Sequence, residues 1–151
     1  MEYCAQLKLL HDGFCGGYSA GLSMCNSQSV AELKKVSEAD TAIVYENEKK
    51  HKITVQRETA GEVVFLSTCF ENNSDKPAVL EMLASFAVKG VEADTIYRMQ
   101  SFWSAEGKLK KESIYDLHLE RSWCGNGFRV EKFGNTGSMP VRKYFPFLVL
   151  E

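Results

Sequence analysis

The sequence predicts an all-β fold, a two-sheet sandwich of mainly antiparallel strands with at most one short helix. Short segments rich in β-branched and aromatic residues recur at spacings of roughly 8–12 residues, as in sandwich proteins. Several segments alternate apolar with polar side chains, and stretches rich in Asn, Gly and Pro separate them. The chain has 151 residues, of which 44% are apolar and 25% charged, so its composition suits one globular domain with a real core.

A β-hairpin is the clearest predicted element. Residues 53–57 alternate, and residues 63–70 form a β-branched and aromatic run without breakers, which is typical of a well-buried strand. The stretch at 59–62 contains Gly61 and supplies the turn between them. Residues 72–77 then predict a loop, because Asn and Asp tolerate left-handed backbone and Pro cannot continue a sheet ladder.

The later elements are mostly predicted strands. Residues 79–88 fit either a strand or a helix, and further strands are predicted over residues 97–103, 113–121, 128–133 and 144–149. One candidate helix covers residues 29–38, where apolar residues have helical spacing and Ser29 is a candidate cap. The residues expected to be largely buried are Phe65, Phe70, Leu83, Phe86, Leu117 and Leu119.

Charge and cysteine content argue against several classes of protein. The net charge is −2, and the two basic stretches, residues 49–52 and 108–111, are short and flanked by glutamates, so no nucleic-acid partner is expected. No apolar run approaches the ~20 residues of a membrane span, and no signal peptide is visible. The five cysteines are scattered, so we expect reduced thiols in a cytoplasmic protein that holds neither metal nor cofactor.

Two groups of residues could carry chemistry. Asp116, His118 and Glu120 share one face of a predicted strand and are residue types that bind metals or move protons. A solvated face opposite a core face explains the same alternation and is the favoured interpretation. Trp103 and Trp123 are either a stacking platform for sugars or buried core residues.

Several segments between residue 65 and residue 147 follow one another in a specific order. A strand ends in an Asn-rich turn at residues 67–74 and is followed by residues 80–86. Residues 102–107 then contain a Trp-x-x-Glu step formed by Trp103 and Glu106. Residues 133–139 lead into Tyr144-Phe145-Pro146-Phe147. This order resembles the amino-terminal domain of glycoside hydrolase family 36, which includes α-galactosidases, and its last segment is similar to the one before the family's catalytic barrel.

This resemblance implies a β-supersandwich fold and a non-catalytic role for the chain. In the family the catalytic carboxylates lie on a downstream (β/α)₈ barrel, so no catalytic residue can be assigned to this chain. Some members extend an Asp-Phe-Arg-type loop toward a neighbouring active site, but residues 21–25 contain neither Asp nor Arg and that role is not transferred. Residues 1–149 are accordingly interpreted as one sandwich domain of a larger enzyme, with Leu150 and Glu151 as candidates for a cloning scar.

The leading hypothesis is therefore a non-catalytic domain of an α-galactosidase-like enzyme. Its expected partners are the barrel of the same enzyme and further copies of the chain, and the enzyme's substrate would be an α-galactoside. No membrane partner is expected. The alternative hypotheses are an independent carbohydrate-binding module using Trp103 or Trp123, and a small enzyme using His118 and its neighbours. The candidate residues for carbohydrate binding or for an interface are Trp103, Glu106, Trp123, Tyr144, Phe145 and Phe147.

Overall fold

A computed structural model describes residues 1–15, 27–101, 104, 107–117, 119, 144–145 and 147–151. Strands account for 55% of the described residues and helix for 4%, and the strands form several antiparallel sheets. The predicted all-β sandwich class is therefore confirmed. The chain divides into two compact units, Met1–Val91 and Glu92–Glu151.

The first unit contains most of the described strands. In chain order its elements are β1 (Glu2–Cys4), β2 (Leu7–Leu9), α1 (Gln28–Ala31), β3 (Lys34–Ala39), β4 (Ala42–Glu46), β5 (His51–Ala60), β6 (Val63–Asn72), β7 (Leu80–Leu83) and β8 (Ala87–Lys89). Strands β3, β4, β5 and β6 form one antiparallel sheet in that order. Strand β2 pairs with β7, and β1 pairs with β8. Consecutive strands thus lie side by side in the large sheet, and the amino-terminal strands pair with later ones.

The predicted hairpin forms one side of the large sheet, with β6 as its edge strand. Strands β5 and β6 are ten residues each and pair along their whole length, from His51 opposite Asn72 to Ala60 opposite Val63. The turn between them contains Gly61, whose φ of 62° is a left-handed conformation that costs glycine no steric strain. The hairpin and its turn are therefore confirmed.

The core of the first unit lies between the large sheet and the β2–β7 pair. Alternation along β5 places Ile53 and Val55 on the inner face, where they are 0% and 1% exposed. They cluster with Ala5, Leu7 and Leu9 from the amino-terminal segment. Partly buried residues extend this cluster: Val30, Leu33, Ile43, Tyr45, Phe70, Ala78 and Leu83. These contacts make two layers of sheet with an apolar centre, which is the architecture of a sandwich.

The candidate helix over residues 29–38 was wrong in extent and in its cap. Helix α1 has only four residues, and its cap is Ser27, whose hydroxyl accepts the backbone N–H of Val30 at 3.2 Å. Residues 34–39 form β3, which pairs with β4. Hydrogen bonding to a neighbouring strand outweighs the weak helical spacing of a few apolar residues.

Two of the expected core residues are exposed. Phe65 is 58% exposed and Phe86 is 60% exposed, whereas Phe70 and Leu83 are partly buried. Phe65 lies on β6, opposite Glu58, on the outward face of the sheet. An uninterrupted β-branched and aromatic run can belong to a strand with one face in solvent, and here the alternation of side chains decides which residues are buried. Leu117 and Leu119 are partly buried.

The second unit is described as a three-stranded antiparallel sheet. Its strands are β9 (Thr95–Gln100), β10 (Lys108–Ser113) and β11 (Val149–Leu150), with β9 in the centre. The predicted strand over residues 97–103 is confirmed as far as Gln100. Within residues 144–149, Tyr144 makes an isolated bridge to Gln100, and β11 begins only at Val149. Leu150 and Glu151 are also part of the sheet, since Leu150 pairs with Ile96 and Glu151 donates its N–H to Thr95.

Among its described residues, the predicted strand over residues 113–121 is confirmed only at Ser113, the last residue of β10, and was wrong from residue 114 onward. Residues 114–117 form a turn, and Leu117 donates its backbone N–H to the Ser113 carbonyl at 3.1 Å. Apolar and polar residues alternate in this turn as they would in a strand, so the pattern alone does not distinguish the two structures. The predicted strand over residues 128–133 lies outside the described residues.

Candidate functional site

A cleft of about 590 Å³ lies in the first unit, between three connecting segments. Residues 9–12 follow β2, residues 48–51 cover the β4–β5 turn and the start of β5, and residues 74–79 precede β7. We call it the loop cleft. Its volume falls in the range of small-molecule binding sites, and it combines an apolar wall with charged side chains as such sites do.

The β4–β5 turn is held by one asparagine. The Asn47 side-chain oxygen accepts the backbone N–H groups of Lys49 and His51, each at 3.0 Å. The Asn47 carbonyl also accepts the N–H of Lys50 at 3.0 Å. Lys50 adopts a left-handed φ of 62°, a conformation that hairpin turns usually assign to Gly, Asn or Asp. The hydrogen bonds of Asn47 thus stabilise the turn enough to keep Lys50 in an unfavourable backbone conformation.

The predicted loop at residues 72–77 is confirmed, and Asn72 organises it. The Asn72 side-chain oxygen accepts from the backbone N–H of Ser74 at 3.1 Å and from its hydroxyl at 2.7 Å. The Asn72 amide donates to the Lys76 carbonyl at 2.8 Å. This is the local side-chain to backbone bonding that makes asparagine a turn-former.

Main-chain hydrogen bonds join the three segments of the loop cleft to one another. Asn73 donates its N–H to the Lys50 carbonyl at 3.0 Å, which ties the second loop to the β4–β5 turn. Leu10 donates its N–H to the Val79 carbonyl at 2.9 Å, which ties the amino-terminal segment to the third side. The cleft is therefore built by the fold and needs no ligand to assemble it.

Backbone strain is concentrated at this cleft. The non-glycine residues with positive φ in the described part of the chain are His11, Lys50 and Ser104. Two of these three, His11 with φ 72° and Lys50 with φ 62°, line the loop cleft. Left-handed conformations cost such residues about 1–2 kcal/mol each and are commonly retained at functional sites.

Several charged groups around the cleft are already paired. The ammonium of Lys49 lies 2.7 Å from the Glu32 carboxylate, and this hydrogen bond lowers the pKa of Glu32 and raises the pKa of Lys49. Glu48 accepts from Lys34 at 3.0 Å. Asp12 accepts from the Ser29 hydroxyl at 2.6 Å. The two lysine contacts are ion pairs near the surface, which contribute little to stability, and Asp12 keeps its charge because its partner is a neutral hydroxyl.

Lys50, Lys76 and Asp75 also line the cleft, and among the described residues their side chains have no hydrogen-bond or ion-pair partner. His51, in contrast, is anchored: its residue is 7% exposed, its Nδ1 lies 3.4 Å from the Asn47 amide nitrogen, and its ring centroid lies 5.5 Å from that of Phe70. Lys50, Lys76 and Asp75 thus add two ammonium groups and one carboxylate to the cleft, beside the Asp12 carboxylate, whose hydrogen-bond partner is an uncharged hydroxyl.

The interface and binding candidates named from the sequence are only partly described. Trp103, Glu106 and Trp123 lie outside the described residues. Tyr144 and Phe145 are both half-buried against β9: the Arg98 guanidinium lies 5.2 Å from the Tyr144 ring centroid, and Phe145 donates its N–H to the Met99 carbonyl at 3.0 Å. Phe147 is 43% exposed. The structure thus brings Tyr144 and Phe145 together and leaves Phe147 at the surface.

The predicted strand face of Asp116, His118 and Glu120, proposed for acid-base or metal chemistry, is not formed at Asp116. This residue is exposed in the turn at residues 114–117, so it does not sit on a strand whose alternation would align it with His118. His118 and Glu120 lie outside the described residues. Within the described ranges, no group of three or more His, Cys, Asp or Glu side chains is arranged to hold a metal ion.

The remaining sequence features are simple surface or core positions. Cys15 and Cys69 are exposed free thiols, and Cys4 is buried. No helix in the part of the chain that the structure describes is long and apolar enough to cross a membrane.

Comparison of the chain with protein-family models, with curated proteins and with solved structures gives no match.

The loop cleft was missed at the level of sequence. Its residues come from three separate segments, and only the turn-forming stretch at residues 72–77 stood out. The stretch Asn47-Glu48-Lys49-Lys50, between two apolar alternating segments, is a turn signal that could have revealed the second side. Nothing in the pattern shows that the two turns meet.

Proposed function

We propose that this chain is a non-catalytic β-sandwich domain of an α-galactosidase-like glycoside hydrolase. Its work is to pack against the catalytic barrel of that enzyme and to support oligomerisation or shape the substrate entrance. The family resemblance supplies the class of enzyme. The observation that supports a packing role is an exposed apolar segment at residues 147–150, which we call the apolar strip.

The apolar strip is exposed along its whole length. Phe147, Leu148, Val149 and Leu150 are 43%, 41%, 48% and 42% exposed. Val149 and Leu150 are neighbours in β11, so their side chains point to opposite sides of the strand, and their similar exposure leaves both sides open to solvent. An exposed run of this kind is typical of a surface that another protein covers.

The strip is also held in a defined position. Val149 and Leu150 pair with Tyr97 and Ile96 of β9, and the Tyr97 hydroxyl donates to the Glu151 carboxylate. Ile96 is 4% exposed, so β11 pairs with a buried position of β9 in the second unit. Val149 and Leu150, which are fixed by this pairing, would lose little conformational entropy on binding, which favours a stable interface.

Self-association tests the packing role. In a sample that contains only this chain, another copy is the protein that can cover the apolar strip. Light scattering over a concentration series should show a rise in mean mass for the chain. Phe147→Ser should weaken this association, and Phe86→Ser, which removes a 60% exposed phenylalanine of the first unit, should not. A chain that stays monomeric throughout, or equal effects of the two variants, would contradict an interface at the apolar strip.

An activity assay tests the non-catalytic role separately. The chain should not hydrolyse an aryl α-galactoside above background, because retaining glycosidases need two carboxyl groups ~5–5.5 Å apart and the resemblance assigns these to the barrel. Turnover that survives repurification and disappears in Glu120→Ala would overturn this part of the proposal.

A further inference from the structure

We propose that the free edge of strand β6 pairs with the same edge of a second copy of this chain. The pairing segment is residues 63–67, which we call the β6 edge. Antiparallel pairing about a two-fold axis joins the four-stranded sheets of the two copies into one continuous sheet. The β6 edge belongs to the first unit, so this proposal does not depend on the packing role of the apolar strip in the second unit.

The main chain of the β6 edge is unpaired on its outer side. Strand β6 is the last strand of the large sheet, and β5 pairs with it along its whole length. Among the described residues, no backbone hydrogen bond links residues 63–71 to any segment other than β5. Such an edge presents a row of N–H and C=O groups to which a further strand can bond.

The two edges of the large sheet differ in how they are protected. Strand β3, at the opposite edge, carries Lys34, Lys35 and Glu38, and its register shifts between Lys35 and Ser37. Charges and irregular pairing are features by which natural proteins keep edge strands from binding another strand. Residues 63–67 are uncharged, and β6 pairs with β5 without a register shift. One edge of the sheet is thus protected, and the other is open to a partner strand.

Apolar side chains are exposed on both faces of the β6 edge. The pairing of β4 with β5 ends at Gln56, so the far end of the hairpin is a two-stranded ribbon. There Val63 and Phe65 on one face are 54% and 58% exposed, and Val64 on the other face is 38% exposed. A two-stranded ribbon is at best marginally stable in water, and the cross-strand contacts of a further strand would stabilise it.

Symmetry and the position of Ser85 restrict the register of this pairing. A two-fold axis perpendicular to the sheet keeps the core faces of both copies on one side, so odd-numbered residues lie opposite odd-numbered ones and even opposite even. The Ser85 carbonyl accepts the Thr68 hydroxyl at 2.9 Å, so another segment of the chain already lies beside Thr68. The accessible stretch therefore ends at Ser67, and its central residue, Phe65, lies opposite Phe65 of the other copy.

This register brings together side chains that suit each other. Phe65 faces its symmetry equivalent on one side of the sheet, and Val64 faces Leu66 on the other, and such aromatic and aliphatic pairs stabilise antiparallel strands. The charged residues of β6 and its turn that flank residues 63–70 are Glu62 and Glu71. One is even-numbered and the other odd-numbered, so the symmetry never places these two carboxylates opposite each other. A second copy therefore meets the β6 edge with matching apolar contacts and no opposed like charges, which favours it over other extended chains.

Sedimentation velocity and amide hydrogen exchange over a concentration series test the pairing. Residues 63–67 are far fewer than the ~20–30 residues that each partner contributes to a standard interface, so a reversible dimer with a dissociation constant on the order of 100 µM is expected. Both the unaltered chain and Phe147→Ser, which weakens any contact at the apolar strip, are measured from about 10 µM to 1 mM. In both, the sedimentation coefficient and the protection of the outward-facing amides of residues 63–67 should rise together, and the protection of the outer edge of β3 should not.

Lysine variants of the two edges supply the matched comparison. Phe65→Lys places like charges directly opposite each other at the two-fold axis and should raise the dissociation constant at least ~10-fold. Val36→Lys adds the same charge to β3 at the protected edge and should leave the dissociation constant unchanged. The two positions are similarly exposed, at 58% and 54%, so both variants should fold.

Disulfide trapping tests the register without changing Phe65. In chains that also carry Cys15→Ser and Cys69→Ser, a mixture of Val63→Cys and Ser67→Cys chains should cross-link under mild oxidation. Opposite residues of antiparallel strands have Cα atoms about 4.5–5.5 Å apart, which is within the range of a disulfide. Either chain alone should cross-link far less, because the register does not place residue 63 or residue 67 opposite itself.

Four results would overturn the proposal. The first is a sedimentation coefficient that stays constant up to about 1 mM, and the second is an equal effect of Phe65→Lys and Val36→Lys. The third is equal cross-linking in the mixture and in the separate cysteine chains. The fourth is complete loss of association in Phe147→Ser, which would place self-association at the apolar strip. Association that persists in Phe147→Ser and is lost in Phe65→Lys would instead support the β6 edge and contradict self-association through the apolar strip.

Discussion

Replacement of Ile53 by Ala tests whether the two layers of the first unit pack as described. Ile53 is 0% exposed, lies in the middle of the large sheet, and is opposite Tyr45 on one neighbouring strand and Phe70 on the other. Its side chain belongs to the same apolar cluster as Leu7 of β2. The substitution therefore opens a cavity at the contact between the large sheet and the β2–β7 pair.

The expected cost follows from two contributions. Three buried carbons are removed, which costs roughly 2.4 kcal/mol at about 0.8 kcal/mol per methylene. A residual cavity of roughly 40–60 Å³ adds about 1–1.5 kcal/mol, because strands on both sides of Ile53 limit collapse of the site. The free energy of unfolding should therefore fall by about 3–4 kcal/mol.

Urea unfolding followed by circular dichroism measures this change. Val63→Ala is the matched control, since Val63 is in the same hairpin but 54% exposed, and a surface substitution should change stability by about 0.5 kcal/mol or less. The midpoint of the Ile53→Ala transition should move to lower urea with an unchanged slope. A loss below about 1 kcal/mol, or equal losses for the two variants, would refute the packing of β5 against β2.

Two further predictions concern the backbone and the charges. Gly61→Ala should destabilise the chain by about 1 kcal/mol, because φ is 62° there, whereas Gly13→Ala, with no positive φ and no atom within 4 Å of the added methyl, should be neutral or stabilising by up to about 1 kcal/mol. Thermal melting compares the two, and similar losses for both would contradict the left-handed turn. In the second unit, burial opposes ionisation of Glu112, but hydrogen bonds from Lys110 and Arg98 outweigh it and hold its pKa below the usual value. A lowered folded-state pKa stabilises the protein above the unfolded value of about 4.3, so the stability difference between the chain and Glu112→Gln should be full at neutral pH and disappear as pH falls through the folded-state pKa. A difference that is constant from neutral to acid pH would contradict this ion-pair cluster.

Much of the fold could be read from local pattern. The hairpin of β5 and β6, its turn at Gly61 and the loop at residues 72–77 follow from alternation and turn chemistry, because these signals are contained within a few neighbouring residues. The same signals failed at β3, where pairing with β4 overrides helical spacing. They failed again at residues 114–117, where a turn retains an alternating pattern.

Burial and the candidate sites depended on contacts between distant segments. The run at residues 63–70 reads as a buried strand, yet Phe65 is exposed, because β6 faces the core with only one side. The loop cleft joins residues 9–12, 48–51 and 74–79, which no local pattern connects. The exposure of Phe147 likewise depends on tertiary contacts, which its neighbours in the sequence do not reveal.

The sequence alone therefore determined the all-β class, the hairpin of β5 and β6 with its turn at Gly61, and the loop at residues 72–77. These properties arise from the conformational preferences of each residue and from the two-residue period of a strand. The tertiary structure decided which face of each strand is buried, which charges are paired and where two turns meet to form a cleft. Those properties depend on hydrogen bonds such as that from Asn73 to Lys50 and on packing such as that of Ile53 with Leu7, which exist only after distant segments of the chain have come together.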